Sequence, residues 1–481
     1  MTTTMTKTSS EPIRTGAGTG TDAGFRSPQP PAAPRGVSAK VVLGAALLGF
    51  FVIGLDASAV NVALPAVGRT LGGSTAGLQW IVDAYTLMFA ALMLSAGALS
   101  DRLGANRVFA AGLTVFTAAS VACGLAPSLG LLIVARLVQG AAAAVMLPSS
   151  LALVRQAFPD AAERGRAIAL WTVGGAVSTA AGPVVGGALT SSLGWPSIFF
   201  LNVPVGLLTL AVLTRVPGSP RRAASLDPLG QVTAVVALGS LTYGVIEGGA
   251  SGFGTPAAVV SLLVAVLAAV AFVVTEARVA DPMVPLSLFR SRTTTLSLVI
   301  GFAVNAAFYG AVFVFSLFFQ EVLGQSAVTA GLMFLPMTAL VAGANVSSAK
   351  AAARFGPRVP IAVGQAVCAL GLLSLLTVDA GTDHVVIALM LVPLGIGLGF
   401  AVPSLTAAML GTIDPERAGM AGGVLNAVRQ TGGALAVAVF GALVSDRSSF
   451  VPGMHVSLLV AALALLATSA AALALPRVRR S

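Results

Sequence analysis

Fourteen stretches of roughly twenty residues, each almost free of charge, recur along this chain of 481 residues. They run over 41–66, 78–99, 107–126, 130–153, 166–190, 198–214, 229–248, 257–276, 294–319, 329–349, 359–378, 385–409, 419–444 and 456–475. A helix needs about 20 apolar residues to cross the hydrocarbon of a bilayer. Inside lipid every backbone N–H and C=O must be bonded within the protein, so runs of this length can cross only as helices. The expected fold is therefore an all-α membrane protein with 14 transmembrane helices. Composition closes the soluble alternative: only 9% of residues are charged, the mean hydropathy is +0.94, and a soluble domain is about one quarter charged. The abundant Gly and Ala inside the runs suit close helix packing in lipid.

Lys and Arg placement sets the orientation. With the N-terminus in the cytoplasm and the runs alternating sides, 23 of the 27 basic residues fall on inner segments. Only Arg69 and Arg447 fall outside, and Arg136 and Arg429 lie within runs. Both termini are thus expected in the cytoplasm. The net charge of +10 is then a record of topology, not a nucleic-acid footprint. Residues 1–39, rich in Thr, Ser, Gly and Pro, read as a disordered cytoplasmic tail, and 477–481 as a short basic one.

Several chemistries are excluded. Cys123 and Cys368 each lie inside an apolar run, in opposite halves, which argues against a disulfide framework or a thiolate metal site. His384 and His455 stand at run edges with no zinc or haem spacing. No phosphate-binding loop is present, so no ATP site is expected. No HExxH, GxSxG or acid–His pair suggests an enzyme. No metal and no cofactor beyond a proton gradient is expected.

An internal repeat divides the chain. The turn Asp101-Arg102-Leu103-Gly104-Ala105-Asn106-Arg107 returns as Ala353-Arg354-Phe355-Gly356-Pro357-Arg358, which pairs the second span with the tenth. The expected domains are a six-helix half at 40–215, a cytoplasmic linker with two extra helices at 216–292, and a second six-helix half at 293–476. This 6+2+6 arrangement has the pseudo-two-fold character that secondary transporters build around a midplane site.

The motifs then resemble the fourteen-spanner drug:proton antiporters of the major facilitator superfamily, and within them the methylenomycin-resistance-type pumps. The first span reads Leu55-Asp56-Ala57-Ser58-Ala59-Val60-Asn61-Val62-Ala63-Leu64-Pro65. Gly97-Ala98-Leu99-Ser100-Asp101-Arg102-Leu103-Gly104 resembles the signature between spans two and three. Arg136-Leu137-Val138-Gln139-Gly140 resembles the fourth-span signature, and Gly182-Pro183-Val184-Val185-Gly186-Gly187 the fifth-span antiporter signature. Phe319-Gln320-Glu321-Val322-Leu323-Gly324 and Asn426-Ala427-Val428-Arg429-Gln430 agree in the second half. There are departures: Pro196-Ser197 replaces the usual Arg-Trp after Trp195, ahead of Asn202-Val203-Pro204, and Ala105-Asn106 stand where two basic residues are usual. The resemblance implies export of a lipophilic small molecule, cationic ones included, in exchange for protons, by a monomer in a bacterial plasma membrane. A proton-coupled importer, a dedicated exporter of one metabolite and a non-transporting receptor are the alternatives.

Charges within spans mark the candidate site, because each costs about 2.5–3.5 kcal/mol on insertion scales. Asp56 and Arg136 are expected to pair; the guanidinium cannot deprotonate, so proton binding falls to the carboxylate. Asp83 follows Trp80 by three residues and Gln79 by four, which suggests one helix face offering a cation an acid and an aromatic ring. It is a second candidate for proton coupling; Trp80 and Tyr85 also fit an interfacial belt. Glu247, with Asn305, Phe308 and Tyr309 on the ninth span, completes the expected substrate cavity. Gly175, Gly182, Pro183, Gly186 and Gly187 are the expected antiporter seal on span five. Gly97, Asp101, Arg102, Gly104 and Arg107 are the expected inner latch. Arg429 has no obvious acidic partner, and proton handling is expected in the first half, which holds the acids.

Overall fold

The computed structural model describes residues 38–221, 225–413 and 418–475. Residues 1–37 and 476–481, where the two tails were expected, lie outside the described residues. All regular structure among the described residues is helical, as segments that cannot borrow hydrogen bonds from water require. In chain order the helices are α1 (Ala39–Leu71), α2 (Thr75–Leu103), α3 (Ala105–Gly124), α4 (Leu129–Ala157), α5 (Ala161–Leu193), α6 (Ser197–Phe200), α7 (Asn202–Leu213), α8 (Pro228–Ser251) and α9 (Pro256–Arg278). Then follow α10 (Arg292–Leu317), α11 (Ala327–Met333), α12 (Leu335–Phe355), α13 (Arg358–Ser374), α14 (His384–Met390), α15 (Val392–Leu410), α16 (Ala418–Leu443) and α17 (Phe450–Ala472).

A helix, whole or broken, covers each of the fourteen apolar runs. Among the described residues eleven helical segments are long and apolar enough to cross a membrane by themselves, and α11 with α12 makes a twelfth, bent by 40°. The bend has a local cause. Pro336, at the second position of α12, has no N–H to continue the ladder of α11. Pro393 marks the same break between α14 and α15. The sixth run is shorter, Ser197–Leu213, and is divided at Leu201. The ninth ends in one π-helical turn, Phe318–Val322.

The packing repeats itself. In the first half α1 lies on α5, α2 on α4, and α3 on α4 and α7. Eight runs later α10 lies on α16, α12 on α15, and α13 on α15 and α17. The additional pair, α8 and α9, packs mainly on itself, and α8 also touches α2 and α16. α9 turns Val260, Leu263, Val266, Leu267 and Val270 outward, an apolar surface that lipid accommodates and water would not.

The hydrogen bonds that join 40–215 to 293–476 among the described residues lie toward one end of the bundle, where α1 turns into α2. Ser316 donates to Asn61 O at 2.6 Å and Gln320 Nε2 to Val62 O at 2.9 Å. Gln79 Nε2 donates to Ala438 O and Val437 O at 2.7 and 3.0 Å, and Val328 N to Ser191 Oγ at 3.3 Å. Behind them Phe313, Phe315, Phe318, Phe319, Phe334 and Phe450 form one buried aromatic mass. This end is closed by both apolar packing and hydrogen bonds.

Candidate functional site

Four helices bring their polar residues to one point inside the first half. Asp56, midway along α1, is 2% exposed, and Arg136 on α4 is 1% exposed. Arg136 Nη1 donates to Asp56 Oδ2 at 2.5 Å. The other carboxylate oxygen accepts from Gln139 Nε2 and from Asn202 Nδ2, each at 2.9 Å. Gln139 sits one turn beyond Arg136, and its Oε1 accepts from Arg136 Nη1 at 2.8 Å. Ser120 Oγ on α3 accepts from Gln139 Nε2 and Asn202 Nδ2 at 2.9 and 3.2 Å. A fifth helix, α2, joins them: Arg136 Nε donates to Ile81 O at 3.0 Å, and its guanidinium lies 4.2 Å from the centre of the Tyr85 ring. Both charges are thus compensated and hydrogen-bonded, the condition under which a buried ion pair is tolerated. Removing either charge alone would leave the other buried without its ionic partner.

Asp83 is more exposed to consequence than to solvent. It is 0% exposed, and neither carboxylate oxygen has a hydrogen-bond partner among the described residues. The expected shared face with Gln79 and Trp80 divides. Gln79 turns to α16, whereas Trp80, partly exposed, lies 6.2 Å ring to ring from Tyr243 of α8. A carboxyl buried without a partner is costly when charged and much less so when protonated. The side chain of Glu247, half-buried on α8, makes no hydrogen bond to a described residue.

In the second half Arg429 finds amides instead of an acid. Its Nε donates to Asn305 Oδ1 at 3.1 Å and its Nη1 to Asn426 Oδ1 at 3.4 Å. Phe308 and Tyr309 meet edge to face at 5.3 Å beside Asn305.

The span-five residues fasten other helices. A Cβ at Gly186 would stand 2.7 Å from Ala59 O, one at Gly182 would overlap Ser58 Oγ, and one at Gly175 would overlap the Phe50 ring. These glycines let α5 lie against α1, the helix of Asp56. Gly187 and Pro183 face the other way, toward Ala327 O and Gly331 across the halves. The latch residues are placed differently. Asp101, Arg102 and Arg107 are exposed and form no ion pair among the described residues. The turn is instead docked by Asn106, whose Nδ2 donates to Val216 O at 3.0 Å, and by Gly104 (φ +94°), which rests on Ser219 O. Gly97 has open space beside it.

The description "Major Facilitator Superfamily" matches residues 46–437. The chain belongs to that superfamily. A methylenomycin A resistance protein of Streptomyces coelicolor is 38% identical over 90% of this chain and 91% of its own. The tetracenomycin C resistance and export protein of Streptomyces glaucescens is 35% identical over 84% and 75%, and the multidrug resistance protein Stp of Mycobacterium tuberculosis 40% identical over 83% and 74%. Among solved structures a D-xylose-proton symporter superposes with a TM-score of 0.63 at 14% identity, covering 89% of this chain and 97% of that one. That likeness speaks for the fold alone. This major facilitator is therefore a multi-span membrane transporter, not an enzyme.

Within it, the sequence pointed to Asp56 and Arg136 and missed what surrounds them. Gln139 and Asn202 had entered only as letters of motifs, and Ser120 not at all. The signal for Ser120 was weak, since a serine in an apolar helix usually returns its proton to the preceding turn; Ser120 does that too, to Phe116 O at 2.8 Å, while its lone pairs serve the site.

Proposed function

We propose that this transporter exports lipophilic drugs or antibiotics from the cytoplasm or inner leaflet in exchange for protons, by alternating access. The Asp56–Arg136 network carries the reading, because it is a charge pair that a single proton divides. The names of the relatives, which are resistance and export proteins, support the substrate class. The reading includes fourteen crossings with both termini in the cytoplasm of a bacterium, halves at 40–215 and 293–476, and a monomer driven by the proton gradient with no cofactor and no nucleic acid. Helix over every apolar run and the asymmetry of Lys and Arg support that topology. In this orientation the closed end is the outer one.

The cycle follows from which groups share a helix. α1 carries Asp56 and, one to two turns on, the carbonyls of Asn61 and Val62 that hold α10. α2 carries the Ile81 carbonyl and Tyr85 ring that hold Arg136, and Gln79 that holds α16. When a proton takes the charge from Asp56, Arg136 loses its anion and the bonds that orient α1 and α2 change. Both helices also seal the halves, so proton binding and outer closure are coupled through them. Substrate contacts fall to Tyr309, Asn305, Phe308 and Arg429 on one side and Asp83, Trp80 and Glu247 on the other. The membrane potential adds about 2.3 kcal/mol per charge per 100 mV to the drive.

The test is proton movement in energised inside-out vesicles, followed with a pH-sensitive dye while methylenomycin A, tetracenomycin C or ethidium is added. The wild type is compared with the doubly neutral Asp56→Asn/Arg136→Gln. Drug-induced loss of the gradient in the wild type alone supports antiport through this pair. An equal response in both removes the pair from coupling, and no response in either refutes drug–proton exchange.

A further inference from the structure

A second pair of acids stands outside this network, where α8 begins and α9 ends. Asp227 caps α8: its Oδ1 accepts from Gly230 N at 2.8 Å. Glu276 lies in the last turn of α9, and its Oε2 accepts from Val284 N at 3.0 Å. Each carboxylate thus spends one oxygen on main chain. The other oxygens, Asp227 Oδ2 and Glu276 Oε1, are buried and without a hydrogen-bond partner among the described residues. They converge. A Cβ built on Gly230 would stand 2.5 Å from the first and 2.8 Å from the second, so the two oxygens are no farther apart than those distances together. Glycine at 230 leaves open the space where a side chain would separate them.

Two buried carboxylates facing one another without a cation cannot both be comfortably ionised. No compensating charge is at hand among the described residues. Arg278 on α9, Asp281 and Arg290 on the segment after it, Arg292 on α10, and Asp101 and Arg102 on α2 are all exposed. None of them makes an ion pair with either acid. We propose that Asp227 and Glu276 share one proton, forming a carboxyl–carboxylate bond that ties α8, α9 and the segment leading into α10 together. The proton sits between Asp227 Oδ2 and Glu276 Oε1 and satisfies both orphaned oxygens at once.

The location gives this proton-binding site mechanical meaning. Val284, held by Glu276, and Leu288 are buried against Leu298, Met409, Val424 and Leu425 of the second half. One turn into α8, Gln231 donates to Ala91 O at 2.9 Å and bonds Ser95 on α2. Ser95 also reaches Met283 Sδ at 2.9 Å. First half, extra helices and second half therefore meet beside the pair, and the pair stands whether or not Asp56 carries protons.

The experiment is thermal unfolding of the purified full chain in detergent between about pH 6 and pH 9. A proton bound more tightly in the folded than the unfolded state gives stability that is lost as pH rises. The wild type is expected to lose several degrees of its midpoint across that range. Glu276→Gln and Asp227→Asn are expected to hold theirs, because an amide N–H takes the place of the shared proton permanently. The double variant Asp227→Asn/Glu276→Gln sets donor against donor and is expected to fall below either single one at every pH. The same slope in the wild type and both single variants overturns the proposal. So does a double variant as stable as the singles, and so does recovery of the wild type at high pH by added Mg²⁺ or Ca²⁺, which would make this a cation site.

Discussion

Replacing Asp56 by Asn changes one atom and should destabilise the protein severely. In the folded chain one carboxylate oxygen faces Arg136 Nη1 and the other faces the amide nitrogens of Gln139 and Asn202. An asparagine has one acceptor and one donor end. In either orientation its NH₂ meets a donor, the guanidinium in one case and two amide groups in the other. Arg136 is then left charged and 1% exposed with no anion beside it, held by Gln139 Oε1, Ile81 O and the Tyr85 ring. Breaking one side of a buried pair costs about 3–5 kcal/mol, a large share of the roughly 5–15 kcal/mol that keeps a typical domain folded. Removing the second charge as well should restore most of it, because neutral replacement of a whole buried pair is often close to neutral. Unfolding midpoints of the wild type, Asp56→Asn, Arg136→Gln and the double variant, measured in one detergent at one scan rate, form the cycle. The double variant is expected above both single ones. If Asp56→Asn is as stable as the wild type, or the double variant loses the sum of the two single losses, the pair is not energetically coupled and the two-state reading of the network fails.

Three further outcomes follow from the contacts. Asp83→Leu should raise the unfolding midpoint, since two unpartnered buried oxygens cost about 1–3 kcal/mol each when left unbonded, and should weaken drug-dependent proton flux in the vesicle assay; a lower midpoint would mean that Asp83 is satisfied by something unseen. Gly186→Ala forces a Cβ to within 2.7 Å of Ala59 O and should cost about 1–3 kcal/mol by overpacking, read as a lower midpoint, whereas an unchanged midpoint would show that α1 and α5 can part freely. Gln79→Ala with Gln320→Ala removes three of the bonds across the closed end; in a chain with Cys123 and Cys368 replaced, a Phe313→Cys reporter should then react with an impermeant thiol reagent from outside while the parent does not.

The helices were legible because hydropathy is a property of the run itself. The breaks were not, although the prolines were in view. Pro65, Pro148, Pro183 and Pro403 lie within helices that continue, while Pro336 and Pro393 begin new ones. The difference is whether neighbouring helices hold the chain straight through the missing hydrogen bond, and that is tertiary. Arg136 illustrates the same limit at the site. Its need for an anion could be inferred from its burial in an apolar run, and the motif pointed to Asp56. The Tyr85 ring beneath it could not, since an aromatic near the end of a span reads as an interfacial anchor.

Asp227 and Glu276 escaped for the opposite reason: both stand at run edges, where a carboxylate is ordinarily free to reach water or headgroups. Beside Glu276 the segment 279–291 folds back so that Val284 donates to Glu276 and Leu288 enters the second-half core. That connection's own sequence shows no helix-spanning period. The contrast between the two acid sites is chemical. Asp56 is surrounded by donors, a guanidinium and two amides, which compensate a carboxylate. Asp227 and Glu276 offer each other only acceptors beyond their main-chain bonds, and are built to hold a proton until pH removes it. A proton shared by Asp227 and Glu276 makes contacts, so acidification should tighten the junction of the extra helices. Midpoints of the wild type, Glu276→Gln and Asp56→Asn/Arg136→Gln compared across pH assign that dependence to its site. The wild-type slope is expected to persist in Asp56→Asn/Arg136→Gln and to vanish in Glu276→Gln, and its loss in both would show that it does not belong to the second acid site.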